Sequence, residues 1–72
     1  MVFTEKGSVK KDITASVFKR PSFLTGYLCT LNGGETVLVD PERSTECYYF
    51  IKTINDVEGY CMIPLIEKGD PL

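Results

Sequence analysis

The fold is decided by residues 28–67, whose sequence is LCTLNGGETVLVDPERSTECYYFIKTINDVEGYCMIPLIE. Runs rich in β-branched and aromatic residues alternate in this stretch with short polar segments that can reverse the chain. The apolar runs are residues 28–31, 36–39, 48–53 and 59–63, and the reversing segments are residues 32–34, 40–46 and 55–56. This rhythm is typical of a small β-barrel and leaves no room for a long amphipathic helix.

The segment before this stretch adds a further strand. Ile13, Ala15 and Val17 alternate with Thr14 and Ser16, and a period of two predicts a strand with one buried face. Strands are expected at residues 13–17, 25–31, 35–39, 47–53 and 58–62, a single 3-10 turn at residues 63–65, and residues 66–67 closing the sheet. The predicted fold class is all-β: a five-stranded antiparallel barrel with one short 3-10 turn before the last strand.

A chain of 72 residues is long enough for one domain with one small core. Residues 1–11 are expected to form a flexible polar leader, residues 12–68 the barrel and residues 69–72 a tail. The barrel core is predicted to contain Ile13, Ala15, Val17, Leu28, Leu31, Val37, Val39, Tyr49, Ile51, Gly59 and Cys61. Surface loops are expected at residues 19–25, where Pro21 disfavours a central strand, and at residues 40–46 and 53–57.

The formal charge of −2 argues against nucleic acid as a partner, because such a surface repels phosphate overall. The two dibasic pairs, Lys10-Lys11 and Lys19-Arg20, are expected to be solvated. No apolar run approaches the ~18 residues needed to cross a bilayer, and no signal peptide is recognisable, so no membrane partner is expected. The predicted location is the cytoplasm if the chain is complete, and the cell exterior or wall if it is an excised domain.

The reactive side chains predict neither catalysis nor a cofactor. The chain has no histidine, so a Ser-His-Asp or Cys-His arrangement cannot be assembled and a zinc site would need all three cysteines plus a carboxylate. Cys29, Cys47 and Cys61 are expected to be buried free thiols, with a disulfide between two of them as the alternative. The acidic residues fall mostly at turns, where they are expected to be solvated. The prediction is therefore a non-enzyme without metal.

The aromatic residues are the more informative material. Four Tyr and four Phe exceed what the core of one small barrel needs, and such rings often anchor interfaces. About half of them are expected to be purely structural. Within residues 48–53, the pattern leaves open whether Tyr48 or Tyr49 faces the core, because a shift of one residue exchanges the two faces of a strand.

Five segments of the chain resemble the Src-homology-3 fold, and most closely its bacterial branch. They are Lys19-Arg20-Pro21-Ser22, Cys29-Thr30-Leu31, Gly34-Glu35-Thr36-Val37-Leu38-Val39, Tyr48-Tyr49-Phe50-Ile51-Lys52 and Glu58-Gly59-Tyr60-Cys61. The resemblance implies a non-catalytic binding module for proline-rich peptides or for cell-wall peptidoglycan. In the peptide-binding branch, a ligand-stacking Trp stands where this chain has Tyr48, and a ligand-facing Tyr stands where it has Leu65. These two departures weaken the case for ordinary proline-rich recognition.

The resulting hypothesis is a module that binds a protein or peptide partner through an aromatic surface between the first two loops. The residues expected to line or rim this surface are Phe18, Phe23, Glu42, Arg43, Glu46, Tyr48 and Leu65. One alternative is a peptidoglycan-binding domain excised from a larger secreted protein. Another is a structural domain that mediates self-association, as a homo-oligomer, or packs against a neighbouring domain.

Overall fold

A computed structural model describes residues 3–22, 24 and 26–71, with the backbone alone at residues 70 and 71. This part of the chain is all-β and contains one 3-10 turn, Ile63–Leu65. The strands are β1 Glu5–Val9, β2 Thr14–Phe18, β3 Tyr27–Asn32, β4 Thr36–Asp40, β5 Tyr48–Thr53, β6 Glu58–Met62 and β7 Ile66–Pro71. Among the described residues, no helix combines the length and the apolar character that spanning a bilayer requires.

The seven strands form one antiparallel sheet in the order β3-β2-β6-β5-β4-β1-β7. The all-β class and the 3-10 turn directly before the last strand are confirmed. The strand count of five is wrong, and the sheet is not closed: β3 and β7 each have one neighbouring strand within the described residues.

The additional strand at the N-terminal side is β1, which lies where a flexible leader was expected. It pairs with β4 on one side and with β7 on the other. Gly7 makes the second pairing close, since a Cβ atom there would lie 3.1 Å from the carbonyl oxygen of Glu67 and 3.2 Å from Cγ2 of Ile66. At the other end of the chain, β7 continues to Pro71, so the expected tail is also largely strand.

The core lies on one face of the sheet, which we call the inner face. Its buried members come from every strand, and they are mostly small aliphatic side chains: Val9, Ala15, Val17, Leu31, Val37, Val39, Ile51, Cys61 and Ile66. Ile13, Cys29, Tyr49 and Leu65 pack against this cluster while remaining partly exposed.

One member of the predicted core is misplaced. Leu28 is 48% exposed and lies where the pairing of β2 with β3 shifts by one residue, between Val17 and Phe18. Gly59, in contrast, is where the prediction placed it. A Cβ atom there would lie 2.6 Å from both the Phe18 carbonyl oxygen and Val17 Cγ1, so β6 and β2 can cross only over a glycine.

Candidate interaction surface on the outer face

Strand β5 is buried on both of its faces. Ile51 is fully enclosed in the inner core, and Tyr49 packs against that core while half-buried. On the opposite side, Tyr48 and Phe50 are only 7% and 8% exposed. Successive side chains of a strand point to opposite faces, so a second apolar cluster covers the outer face of the sheet. Both tyrosines are therefore packed, each in a different cluster.

The outer aromatic cluster consists of Phe3, Phe18, Tyr48, Phe50 and Tyr60. Phe50 is at its centre: its ring centroid lies 5.8 Å from that of Phe3 in a stacked pair and 5.0 Å from that of Tyr60 in a tilted pair. Phe18 meets Tyr48 edge-to-face at 6.3 Å. These separations fall in the range in which aromatic pairs attract beyond their burial. Strand pairing positions the rings, because Tyr60 is the register partner of both Phe50 and Phe18.

The loop between β4 and β5 borders this cluster and is held by its own polar side chains. Asp40 Oδ1 accepts a hydrogen bond from the Glu42 amide at 3.0 Å. Ser44 Oγ donates to the Asp40 carbonyl oxygen at 2.8 Å and accepts from the Phe50 amide at 3.0 Å. Thr45 Oγ1 accepts from the Tyr48 amide at 3.1 Å. Asp, Ser and Thr bond readily to nearby backbone groups, so this sequence fixes the loop against the start of β5.

Two cationic side chains lie over the aromatic rings. The guanidinium carbon of Arg43 is 5.1 Å from the centroid of Phe50, and Lys52 Nζ is 5.8 Å from the centroid of Phe3. Arg43 Nε is also 3.5 Å from Oδ2 of Asp40, whose side chain is almost fully buried. The guanidinium is thus oriented from two sides, by a carboxylate and by a ring face, while 55% of its side chain stays exposed.

A shallow depression of about 340 Å³ continues the outer face beyond the cluster. Lys52 joins the two regions, since its Nζ lies over Phe3 and also 3.6 Å from Oδ1 of Asp56. The depression is lined further by Leu38 and by Ile54, which is 70% exposed. It supplies apolar contact area beside the rings and brings no cluster of ionisable groups together beyond this one ion pair.

The structure brings together part of the predicted site. Phe18 and Tyr48 are in contact, but Tyr48 is too deeply buried to serve as an open ligand platform. Arg43 covers Phe50 instead of rimming Tyr48. Leu65 packs against the inner core, of which Tyr48 is not a member.

The remaining predicted residues divide into two groups. Glu42 and Glu46 are exposed on the β4–β5 loop, beside Arg43. Phe23 lies outside the described residues. Sequence reasoning missed Tyr60 as a site residue, although the turn at residues 54–57 could have shown that β6 brings it opposite Phe50.

The three thiols are free but differ in environment. Cys61 is fully buried, and burial raises the pKa of its thiol to about 11. Burial also raises the pKa of the half-buried Cys29, with the nearby charge of Glu35 acting in the same direction. Cys47 is exposed, so the expectation that all three are buried is wrong for this residue. No group of three or more potential metal-ligating side chains occurs among the residues described here.

Comparisons of the chain with protein-family models, curated proteins and solved structures find no match. The Src-homology-3 resemblance therefore stays a prediction.

Proposed function

We propose that the chain is a non-catalytic interaction module that binds a protein or peptide partner through the outer face of its sheet. The observation that carries this proposal is an aromatic cluster on the outer face of the sheet, in which the partly exposed Phe18 and Tyr60 contact the buried Tyr48 and Phe50. Rings held in this way offer contact area with little loss of side-chain entropy on binding.

The charges around the cluster define the chemistry of the partner. Arg43 is oriented over a ring with most of its side chain exposed, and arginine and aromatic residues are enriched among the residues that dominate interface energies. Glu42 and Glu46 stand on the same loop and add negative charge at the rim. A segment with an apolar or aromatic anchor flanked by basic residues fits this surface.

An Src-homology-3-like architecture is part of the same proposal. Its support is the sequence order of short strands, the 3-10 turn before the last strand and the position of the β4–β5 loop beside the aromatic rings. In this proposal, β7 is the closing strand extended to Pro71, β1 is an addition to the predicted strands, and the burial of Tyr48 moves the contact area toward Phe18 and Tyr60.

The test is an amide-resolved NMR titration of the labelled protein with peptides that carry an aromatic anchor between basic residues, with a pool of proline-rich peptides, and separately with soluble peptidoglycan fragments. Peptide-induced shifts are expected at Phe18, Tyr60 and the loop around Arg43. Tyr60→Ala should weaken the binding at least fivefold, as removal of a central interface ring does.

Lys10→Ala is the control, because Lys10 is exposed in the turn between β1 and β2, at the opposite end of β2 from Phe18, where this turn packs on the turn after β3. Its binding should equal that of the unmodified protein. If only the peptidoglycan fragments cause shifts, the ligand is a cell-wall glycan and the peptide partner is excluded. No shift with any of these probes would contradict a binding surface for these ligand classes and favour a structural role.

A further inference from the structure

The first edge of the sheet, β3, combines an open hydrogen-bonding side with exposed apolar residues. Within the described residues, β2 is its only neighbouring strand. In an antiparallel pair, alternate residues direct their N–H and C=O groups away from the partner, so β3 presents unpaired backbone groups on its free side. Tyr27 and Leu28 are 65% and 48% exposed on the same strand.

One end of this edge carries uncompensated positive charge. Lys19 and Arg20 directly follow Phe18, whose register partner is Tyr27 at the start of β3. Both cationic side chains are exposed, and neither forms an ion pair with any described residue. In an acidic protein this is a local reversal of the net charge.

The other end of the edge is close to neutral. The turn that carries Lys10 and Lys11 packs on the turn after β3, since a Cβ atom at Gly33 would lie 2.8 Å from the carbonyl oxygen of Lys10. Asp12 and Glu35 stand at the same place and balance these two cations. The positive charge of the edge is therefore concentrated beside Tyr27.

We propose that the β3 edge accepts an extended acidic peptide as an additional strand, with its carboxylates at the end that lies beside Lys19 and Arg20. Backbone hydrogen bonds supply the affinity in this type of recognition, and side chains select the partner. Pairing with a second copy of β3 does not supply the missing charges, because Tyr27–Asn32 contains no ionisable carboxylate. The surface differs from the outer aromatic cluster, so this site goes beyond the proposed function.

The probe is a synthetic peptide of alternating valine and threonine with two glutamates at each end, titrated into the labelled protein at low salt. Amide shifts are expected along β3 and at Lys19 and Arg20. The same peptide with lysines in place of the glutamates should bind about tenfold more weakly, because attraction at this edge becomes repulsion. Two N-methylated versions of the peptide test the backbone pairing. Methylation of the N–H groups that point toward β3 should abolish binding, whereas methylation of the alternate N–H groups, which point away, should preserve it.

Lys19→Glu should weaken binding of the glutamate peptide about fivefold and strengthen binding of the lysine peptide. Lys6→Glu is the matched control, since Lys6 is an exposed lysine of β1 and its reversal should change the affinity less than about twofold. Tyr60→Ala should leave this binding unchanged, so that failure here is distinguishable from failure of the proposed function. Equal affinity for the glutamate and lysine peptides would overturn the proposal, and so would unchanged binding of both N-methylated peptides. So would concentration-dependent self-association in sedimentation that shifts the same β3 amides.

Discussion

The two faces of the sheet are built from different side chains. The inner core consists of Val, Ile, Leu and Ala side chains together with Cys61 from β6, and Ile51 and Val39 are fully enclosed in it. The outer cluster consists of five aromatic rings, of which Phe18 and Tyr60 keep part of their surface exposed. Aliphatic packing of this kind defines the fold, whereas a ring cluster open on one side both stabilises the sheet and offers a contact area. The difference indicates which face is available to a partner.

The largest effect is expected when the inner core is truncated. Ile51→Ala should lower the free energy of unfolding by ~2 to 4 kcal/mol, because the removed side chain is fully buried and leaves a cavity. Denaturant titration measures this change. Ile54→Ala, at a position 70% exposed, is the control and should stay within about 0.5 kcal/mol of the unmodified protein. A loss below about 0.5 kcal/mol at Ile51 would remove the distinction between the faces.

The second prediction concerns the pH dependence of the inner core. Burial raises the pKa of Cys61 from its ordinary value of 9.0 to about 11, so the folded chain retains this proton where the unfolded chain has lost it. The stability of the folded state should therefore be unaffected by this thiol below pH 9 and fall as the pH rises toward 11. The loss at pH 11 is about 2 kcal/mol, and it approaches about 2.8 kcal/mol at higher pH, since each of the two pKa units corresponds to about 1.4 kcal/mol.

The measurement for this prediction is the free energy of unfolding between pH 8 and pH 11, taken for the unmodified chain and for Cys61→Ala. The variant is less stable throughout, but the difference between the two curves should shrink as the pH rises. Cys47→Ala is the matched control, because this thiol is exposed and is not a member of the inner core. If the curve of Cys61→Ala runs parallel to that of the unmodified chain, the Cys61 thiol is not buried in the inner core.

The smallest effect is expected in the outer cluster. Phe50→Leu keeps an apolar side chain but removes the ring contacts with Phe3 and Tyr60 and the surface beneath Arg43, at a cost of about 1 kcal/mol. Thermal or denaturant unfolding measures this loss, with the exposed ring variant Tyr27→Leu as the control. A loss above about 3 kcal/mol would make the outer cluster a second structural core and weaken its assignment as a contact surface.

Much of the fold could be predicted from the sequence, because β-branched runs and turn residues are local signals. β6 and the 3-10 turn have the predicted bounds. β1 could not be predicted in this way: its residues EKGSV are mostly polar, and the strand forms because β4 and β7 pair with it from both sides. Leu28, which was expected in the core, lies at a register shift in the β2–β3 pairing, and no local pattern reveals that shift.

The candidate site was less predictable than the fold. The excess of aromatic residues did indicate that rings form a cluster on the surface, and Phe18 and Tyr48 are in contact. However, a strand buried on both faces gives no alternation of apolar and polar residues, so the sequence of β5 could not show that Tyr48 is enclosed. The orientation of Arg43 depends on the buried carboxylate of Asp40, a contact that follows from the folded loop.

The pairing of β1 with β7 has a mechanical consequence. Glu5 at the start of β1 is the register partner of Pro71 at the end of β7, so the two outer ends of these strands lie at the same end of their ladder. Hydrogen bonds between antiparallel strands run perpendicular to the strands. Tension applied at these two ends would therefore load the bonds one after another, as a zip opens, instead of shearing them all together. β7 should begin to peel away from its Pro71 end under a weak pull, and its complete separation would remove Ile66 from the inner core.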